Sequence, residues 1–148
     1  MDELDNGIAD KAMRAFYDYW KGRRHSDDLP RWQEFDPVEM RDWLGLINVV
    51  EVLPDENGDR FRYRVHGDRL SAFLGVEMTG KFAHEIPADV VREQAMAGYR
   101  NVMRDGAPKL ERYVASDALD RLSSVQRLTV PVLDGGVLLL ISYFRIDP

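Results

Sequence analysis

The sequence contains no cysteine, only three histidines and no apolar run that is long enough to cross a membrane. Without cysteine there is no disulfide framework, no thiolate metal site, no cysteine nucleophile and no cysteinyl photoadduct. The longest apolar run, Val137 to Ile141, is far shorter than the roughly 20 residues of a spanning helix. The acidic N-terminus is followed by no apolar signal core. These absences predict a cytoplasmic protein that does not insert into a membrane.

An excess of positive charge is also missing. The net charge is −6 and the isoelectric point is near 5.1, so we expect no sequence-independent binding of nucleic acid. Hydrophobic residues make up 45% of the 148 residues and charged residues 31%, as in ordinary folded domains. The length is that of one domain with a sizeable core.

The first segment has the pattern of an amphipathic helix from Ile8 to Trp20. Ile8, Ala12, Phe16 and Trp20 recur every four residues and form one apolar stripe. We predict that residues 1–28 form this helix and a connector, and that residues 29–148 form the main domain. The stripe needs a cover, which is either the domain itself or a second subunit. We expect a homodimer through these four residues and the outer face of the sheet.

The remaining pattern predicts, in order, a short helix, two strands, a helical middle and three strands. Asp36-Pro37-Val38-Glu39 has the form of a helix start, and this short helix would run to Leu44. The last strand has apolar side chains on both faces, so both faces of the sheet are expected to be covered. The other predicted elements are strands Leu46–Leu53 and Arg60–Val65 joined by a turn at Asn57-Gly58, helical turns within Gly67–Gly80, a helix from Pro87 to Arg104, and strands Leu110–Ala115, Ser124–Leu133 and Val137–Arg145.

Three local motifs agree with this order of elements: Leu70 to Gly80, Val102 to Pro108 and Leu128 to Asp134. Together, the order and the motifs resemble a PAS domain. Two more motifs, Leu29-Pro30-Arg31 with Phe35-Asp36-Pro37, and Phe61 to Gly67, make the chain similar to the short single-domain PAS proteins common in alphaproteobacteria. The resemblance implies an α+β fold: a five-stranded antiparallel sheet with helices on one face, and here an extra N-terminal helix. It also implies a sensory or regulatory domain that is often dimeric and passes its signal to another protein.

A ligand pocket in such a fold would lie between the sheet and the helical middle. Its expected walls are Tyr63, Phe73, Met78, Val91, Ala95 and Tyr99, although the same residues would also suit a filled core. His84 lies near this region and is either a functional residue, as a haem ligand or a polar ligand contact, or an exposed loop histidine. Haem-binding PAS domains of similar layout carry their histidine on the long helix, and the Pro87–Arg104 helix has none.

Other polar residues suggest no metal site and no catalytic group. His25 and His66 have no partner at metal-ligand spacing.

The alternating Arg60, Arg62 and Arg64 would bind an anionic ligand or acidic partner, or else form the solvated face of a strand near the sheet edge. The three tryptophans, Trp20, Trp32 and Trp43, are either partner anchors or locks between the N-terminal segments and the sheet.

The sequence therefore supports three hypotheses. The first is a stand-alone PAS-type sensory or regulatory domain that acts through protein–protein interaction, with an unidentified signalling partner and a small-molecule ligand as a modulator. The second is a haem- or flavin-type sensor, for which the cofactor is unknown. The third is a small α+β enzyme, which needs a buried acid in the cleft, and Glu51 is the carboxylate to examine for that role.

Overall fold

A computed structural model describes residues 3–56 and 59–148, and the predicted Asn57-Gly58 turn lies outside these residues. The helices are α1 (Glu3–Gly7), α2 (Lys11–Gly22), α3 (Asp68–Leu74) and α4 (Asp89–Asp105). The strands are β1 (Ile47–Leu53), β2 (Arg60–His66), β3 (Lys109–Ser116), β4 (Leu122–Asp134) and β5 (Val137–Asp147). Single 3-10 turns occur at Trp32–Glu34, Leu44–Leu46 and Ala83–Glu85. No helix within the described ranges has the length and apolar character needed to cross a bilayer.

The five strands form one antiparallel sheet in the order β2-β1-β5-β4-β3. The central strand β5 has apolar side chains on both faces, as its sequence predicts. Leu139 and Ile141 belong to the core under α2, whereas Leu140 belongs to the core under α4. The sheet is therefore covered on both faces, by α2 on the outer face and by α3 and α4 on the inner face.

Helix α2 begins later than the sequence pattern predicts, because Asp10 caps it. The Asp10 carboxylate accepts a hydrogen bond of 2.8 Å from the backbone N–H of Met13, and the helix starts at Lys11. The predicted start at Ile8 is therefore wrong, although Ile8 is buried in the same core. The indole N–H of Trp20 donates to the carbonyl oxygen of Pro131 at 2.9 Å, which ties α2 to β4.

The predicted helix from Asp36 to Leu44 is also wrong. Residues 37–43 form a series of turns. The Asp36 side chain accepts a 2.9 Å hydrogen bond from the N–H of Val38, two residues on, and this bond closes a local turn instead of capping a helix. The sequence signal for a helix start and the signal for such a turn are nearly the same here.

Strand β2 contains a bulge that changes which side chains face inward. Val49 pairs with Val65 but Val50 pairs with Tyr63, so Arg64 is an extra residue in the ladder. Val65 is 36% exposed, whereas His66 is 8% exposed. Regular alternation along Arg60–Val65 predicts that Val65 lies on the same face as Tyr63. That prediction is wrong, because the bulge gives the inward position to His66.

The free edge of β2 is covered by the segment that follows α3. The N–H of Tyr63 donates to the carbonyl of Lys81 at 2.8 Å, and the N–H of Gly80 donates to the carbonyl of Tyr63 at 2.7 Å. The turn into this segment uses Gly75, whose φ of 81° lies in the left-handed region. The opposite edge of the sheet is β3.

Candidate functional site

A small cavity of about 40 Å³ lies between the inner face of the sheet and helices α3 and α4. Five of the predicted pocket residues line it: Tyr63, Phe73, Val91, Ala95 and Tyr99. The remaining wall residues are Asn48, His66, Leu70, Leu74, Ile86, Tyr113, Ala115, Val125, Arg127, Phe144 and Ile146. A volume of this size holds about three or four water molecules, at roughly 10–15 Å³ each. A haem or a flavin does not fit this cavity.

Two predicted pocket residues lie elsewhere. Met78 is buried at 1% exposure in the core beneath α4 but is not part of the cavity wall. His84 is exposed and stacks on Phe82, with ring centroids 5.5 Å apart. Of its two sequence interpretations, the geometry agrees with the exposed loop histidine.

The most polar group in the cavity wall is Arg127 of β4, which sequence reasoning missed. Its side chain is 1% exposed and its Nη2 donates to the carbonyl of Gln94 at 2.7 Å and to Oε1 of Glu111 at 2.9 Å. Its Nε is buried, with no hydrogen-bond partner among the described residues. Burial works to lower the pKa of Arg127, while its tyrosine neighbours and Glu111 raise it overall, so the guanidinium is charged.

Gly98 of α4 leaves the space that this guanidinium occupies, because it has no Cβ. A Cβ at Gly98 would overlap Nη2 of Arg127 and would lie 2.9 Å from its Cζ. The ring centroids of Tyr99 and Tyr113 lie 5.4 and 5.9 Å from the guanidinium carbon, within the range of cation–π contacts. A glycine in a helix stripe and an arginine in the middle of an apolar strand are the two signals that, taken together, predict this arrangement.

A short relay of hydrogen bonds forms the second polar part of the wall. The hydroxyl of Tyr99 donates to Oδ1 of Asn48 at 3.3 Å, which leaves its oxygen to accept from the hydroxyl of Tyr63 at 3.1 Å. Burial raises the pKa of Tyr63 well above its ordinary value and also raises the pKa of Tyr99. Both phenols are therefore protonated and neutral at physiological pH.

Burial and two neighbours set the protonation state of His66: Ser71 on α3 and Glu77, which follows α3. Ser71 donates its single hydroxyl proton to the carboxylate of Glu77 at 2.8 Å, so it accepts from Nδ1 of His66 at 2.8 Å. Burial lowers the pKa of His66 even though the Glu77 carboxylate, 4.0 Å away, raises it. His66 is therefore neutral at pH 7, with its proton on Nδ1.

Glu51, the carboxylate that the enzyme hypothesis needs, lies on the other face of the sheet. It is 9% exposed and bonds Nε of Arg62 at 2.5 Å and Nη2 of Arg64 at 2.9 Å. Burial works to raise the pKa of Glu51, but the hydrogen bonds from Arg64 and Arg62 lower it overall. A general acid requires the opposite shift and a position in the cleft.

The same contacts account for most of the arginine stripe. Arg64 also bonds Oδ2 of Asp134 at 2.8 Å, and Arg60 stacks on Phe82 at 3.8 Å. These side chains thus have partners within the chain on the edge strand. Among the described residues there is no group of three or more histidine, aspartate or glutamate side chains placed to hold a metal ion.

The residues predicted to form a dimer interface pack against their own sheet. Ile8, Phe16 and Trp20 are 0–6% exposed, and Ala12 is half-buried beside them. Trp43 packs edge-on to Phe16, with ring centroids 5.7 Å apart. Trp32 stacks on Phe35, with centroids 6.2 Å apart. In this structure the three tryptophans lock the N-terminal segments onto the sheet.

Comparison with known families agrees with the layout of the sheet and its helices. A family model described as a PAS domain matches residues 8–133, a range that includes α2 and most of the sheet. No curated protein matches the chain. With the five-stranded antiparallel sheet and the helices that flank it, this match shows that the chain belongs to the PAS domain family.

Proposed function

We propose that the chain is a regulatory PAS module that acts through contacts with other protein chains and is modulated by a small ligand in the cavity beneath α4. PAS domains are typically sensory and not catalytic. The observation that carries the proposal is the charged, incompletely bonded Arg127 in the wall of an internal cavity. A buried ionic group is weak evidence for a stabilising role, since apolar replacements are often as stable. A cytoplasmic location is part of the same proposal.

The ligand would act by preferring one of two conformations. Helices α3 and α4 cover the cavity from one side, and the sheet forms its floor, so a ligand there would contact both helices and the sheet. A ligand shifts such an equilibrium only by the difference in its affinity for the two states. A cofactor of haem or flavin size would need these helices to move away from the sheet before it could enter.

The proposed protein partner in the first instance is a second copy of the chain, since PAS domains often mediate dimerisation. Support comes from an apolar surface at the β3 edge, where Val90, Val114 and Leu122 line one depression and are 52%, 56% and 68% exposed. An edge strand also offers unpaired backbone groups for association. This surface replaces the α2 stripe as the proposed interface, because the stripe is already covered within the chain.

Light scattering coupled to size-exclusion chromatography tests the dimer. We expect a dimeric mass at micromolar concentration and a monomeric mass for Val114→Lys. Val38→Lys is the matched control, because Val38 is 63% exposed but lies outside this depression. A monomeric wild-type protein would refute the homodimer, and a dimer that Val114→Lys leaves intact would refute the β3 edge as its interface.

Native mass spectrometry of freshly purified protein tests the ligand. We expect a small bound mass that is lost when Ala95→Leu fills the cavity, because Ala95 lies in the cavity wall at 3% exposure. An absorption spectrum of the same sample detects haem or flavin. If the protein carries no bound mass, and if no small metabolite raises its unfolding temperature, then modulation by a ligand is refuted.

A further inference from the structure

We propose that the cavity beneath α4 binds a small organic monocarboxylate, and that Arg127 binds its carboxylate group. This inference rests on the ligand-modulated function proposed above and names the chemistry of the ligand. It starts from the shape of the cavity, which is polar where Arg127 and the tyrosines meet and apolar where Val125 and Phe144 face α3 and α4.

The hydrogen-bonding capacity of Arg127 is only partly used. A guanidinium has five N–H donors, and within the described residues only Nη2 donates, to Gln94 and to Glu111. The buried Nε makes no hydrogen bond with any described residue. Buried unpaired donors are rare in proteins, and one on a charged side chain in the wall of a cavity indicates a missing acceptor. A carboxylate oxygen is the acceptor that binds a guanidinium most strongly.

A second donor lies beside Arg127. The Tyr113 ring is 5.9 Å from the guanidinium carbon and lines the same cavity, and its hydroxyl has no hydrogen-bond partner in the part of the chain that the structure describes. Tyr113 remains a protonated donor at neutral pH because burial raises its pKa. By contrast, Tyr63 and Tyr99 already use their protons within the relay to Asn48.

The charge around the cavity fits a ligand with one negative charge. Arg127 contributes one positive charge, and His66 is neutral at pH 7. Glu111 offsets the charge of Arg127 only in part. Its side chain is 22% exposed, and its carboxylate accepts from only one guanidinium nitrogen, Nη2, which also donates to the Gln94 carbonyl. A dianion would leave one charge buried without a partner, which is strongly unfavourable.

The size of the cavity limits the ligand to a few heavy atoms. Space for about three or four water molecules suits the smallest carboxylates, acetate and propionate. The methyl end of such a chain would contact apolar side chains of β4 and β5, including Val125 and Phe144. The neutral amide of the same size would lose the charge-assisted hydrogen bonds and keep only the apolar contact.

The test is titration of the full-length chain with propionate, followed by NMR of the Arg127 Nε–H resonance, with propionamide as the matched neutral probe. We expect propionate to shift this resonance with a Kd of about 1 mM or tighter and propionamide to bind about tenfold more weakly. Equal binding of the two probes, or no shift at all with acetate and propionate, would overturn the proposal.

Three variants separate a binding role of Arg127 from a structural one. Arg127→Met should abolish propionate binding, and Arg127→Lys should weaken it about tenfold because it lacks Nε and the planar fork. These two variants have no Nε–H resonance, so their binding is followed on the backbone amides of the cavity residues Ala95 and Val125. Glu111→Gln keeps an acceptor for Nη2 but removes the competing charge, so we expect propionate to bind several-fold tighter. If Arg127→Met does not fold, the other two variants still decide. Unchanged propionate affinity in Glu111→Gln and Arg127→Lys contradicts a carboxylate on Arg127.

The same measurements distinguish failure of this inference from failure of the proposed function. If carboxylates do not bind but native mass spectrometry finds another mass that Ala95→Leu removes, the ligand class is wrong and the ligand-modulated function stands. If propionate binds to Arg127 but leaves the oligomeric mass and the hydrogen exchange of α4 unchanged, the site stands and its regulatory role is wrong.

Discussion

Replacement of Gly98 by alanine is the sharpest test of how the interior of this domain is built. In an ordinary helix interior the change is stabilising, because alanine is favoured over glycine by about 1 kcal/mol. In α4 the new Cβ would overlap Nη2 of Arg127 and would lie 2.5 Å from Oε1 of Glu111. The Arg127 side chain is 1% exposed, so the guanidinium cannot move aside into bulk solvent.

The expected effect on the free energy of unfolding follows from what Arg127 loses. Displacement of Nη2 breaks its hydrogen bonds to Gln94 and Glu111. Hydrogen bonds from a charged group contribute about 1.5–3 kcal/mol each, which exceeds the helix propensity of alanine, so the net destabilisation is about 2–5 kcal/mol. In a domain of this length, each kcal/mol lowers the melting temperature by about 2–4 °C.

Urea denaturation of four proteins measures this effect and assigns its cause. They are the wild type, Gly98→Ala, Arg127→Met and the double variant. Once the guanidinium is gone, Glu111 is free to turn outward, and Gly98→Ala should then be neutral or stabilising. Ala97→Gly, at an exposed site on the same turn, reports helix propensity alone. A Gly98→Ala variant that is more stable than wild type, or equally destabilised in both backgrounds, would refute this account of Arg127.

Two further predictions concern the outer face and the histidine of the cavity. Trp20→Phe removes the donor to the Pro131 carbonyl and should lower the free energy of unfolding by about 1–3 kcal/mol in urea denaturation. Trp43→Phe should lower it less, because Trp43 is only half-buried. For His66, burial lowers the pKa in the folded state below the value of about 6.5 expected when unfolded. Its stabilising contribution is complete above about pH 6.5 and is lost as the pH falls towards the lower folded pKa. The stability of His66→Gln should therefore fall less between pH 7 and pH 5, and an equal fall in both proteins would contradict this assignment.

The strands could be predicted because their side chains alternate, and that alternation is a local property of the chain. Strand β5 even revealed that both faces of the sheet are covered, since Leu139 and Leu140 point to opposite cores. The failures are local as well. Asp36 forms a turn with Val38 where a helix cap was predicted, and the bulge at Arg64 reverses the alternation at the end of β2. Neither the turn at Asp36 nor the bulge at Arg64 can be recognised from the apolar pattern of the sequence.

The polar part of the candidate site depended on long-range pairing that no local pattern contains. The apolar walls, such as Phe73 and Val91, follow from helix periodicity and were predicted. Arg127 appears in sequence as a charged residue in a strand, and only the packing of β4 beneath Gly98 shows that it is buried. His66 was missed for a related reason, because its inward position depends on the bulge one residue earlier.

The bonding of Arg127 also gives a route from the cavity to the surface. Its Nη2 joins α4, through the Gln94 carbonyl, to β3, through the Glu111 carboxylate. A ligand that draws the guanidinium towards the cavity must weaken one of these two bonds, and so changes how α4 is held against the edge of the sheet. The exposed Val90 and Val114 belong to the same two elements. Binding at Arg127 and association at the β3 edge are therefore expected to be coupled, and by thermodynamic linkage dimerisation must change propionate affinity by the same factor.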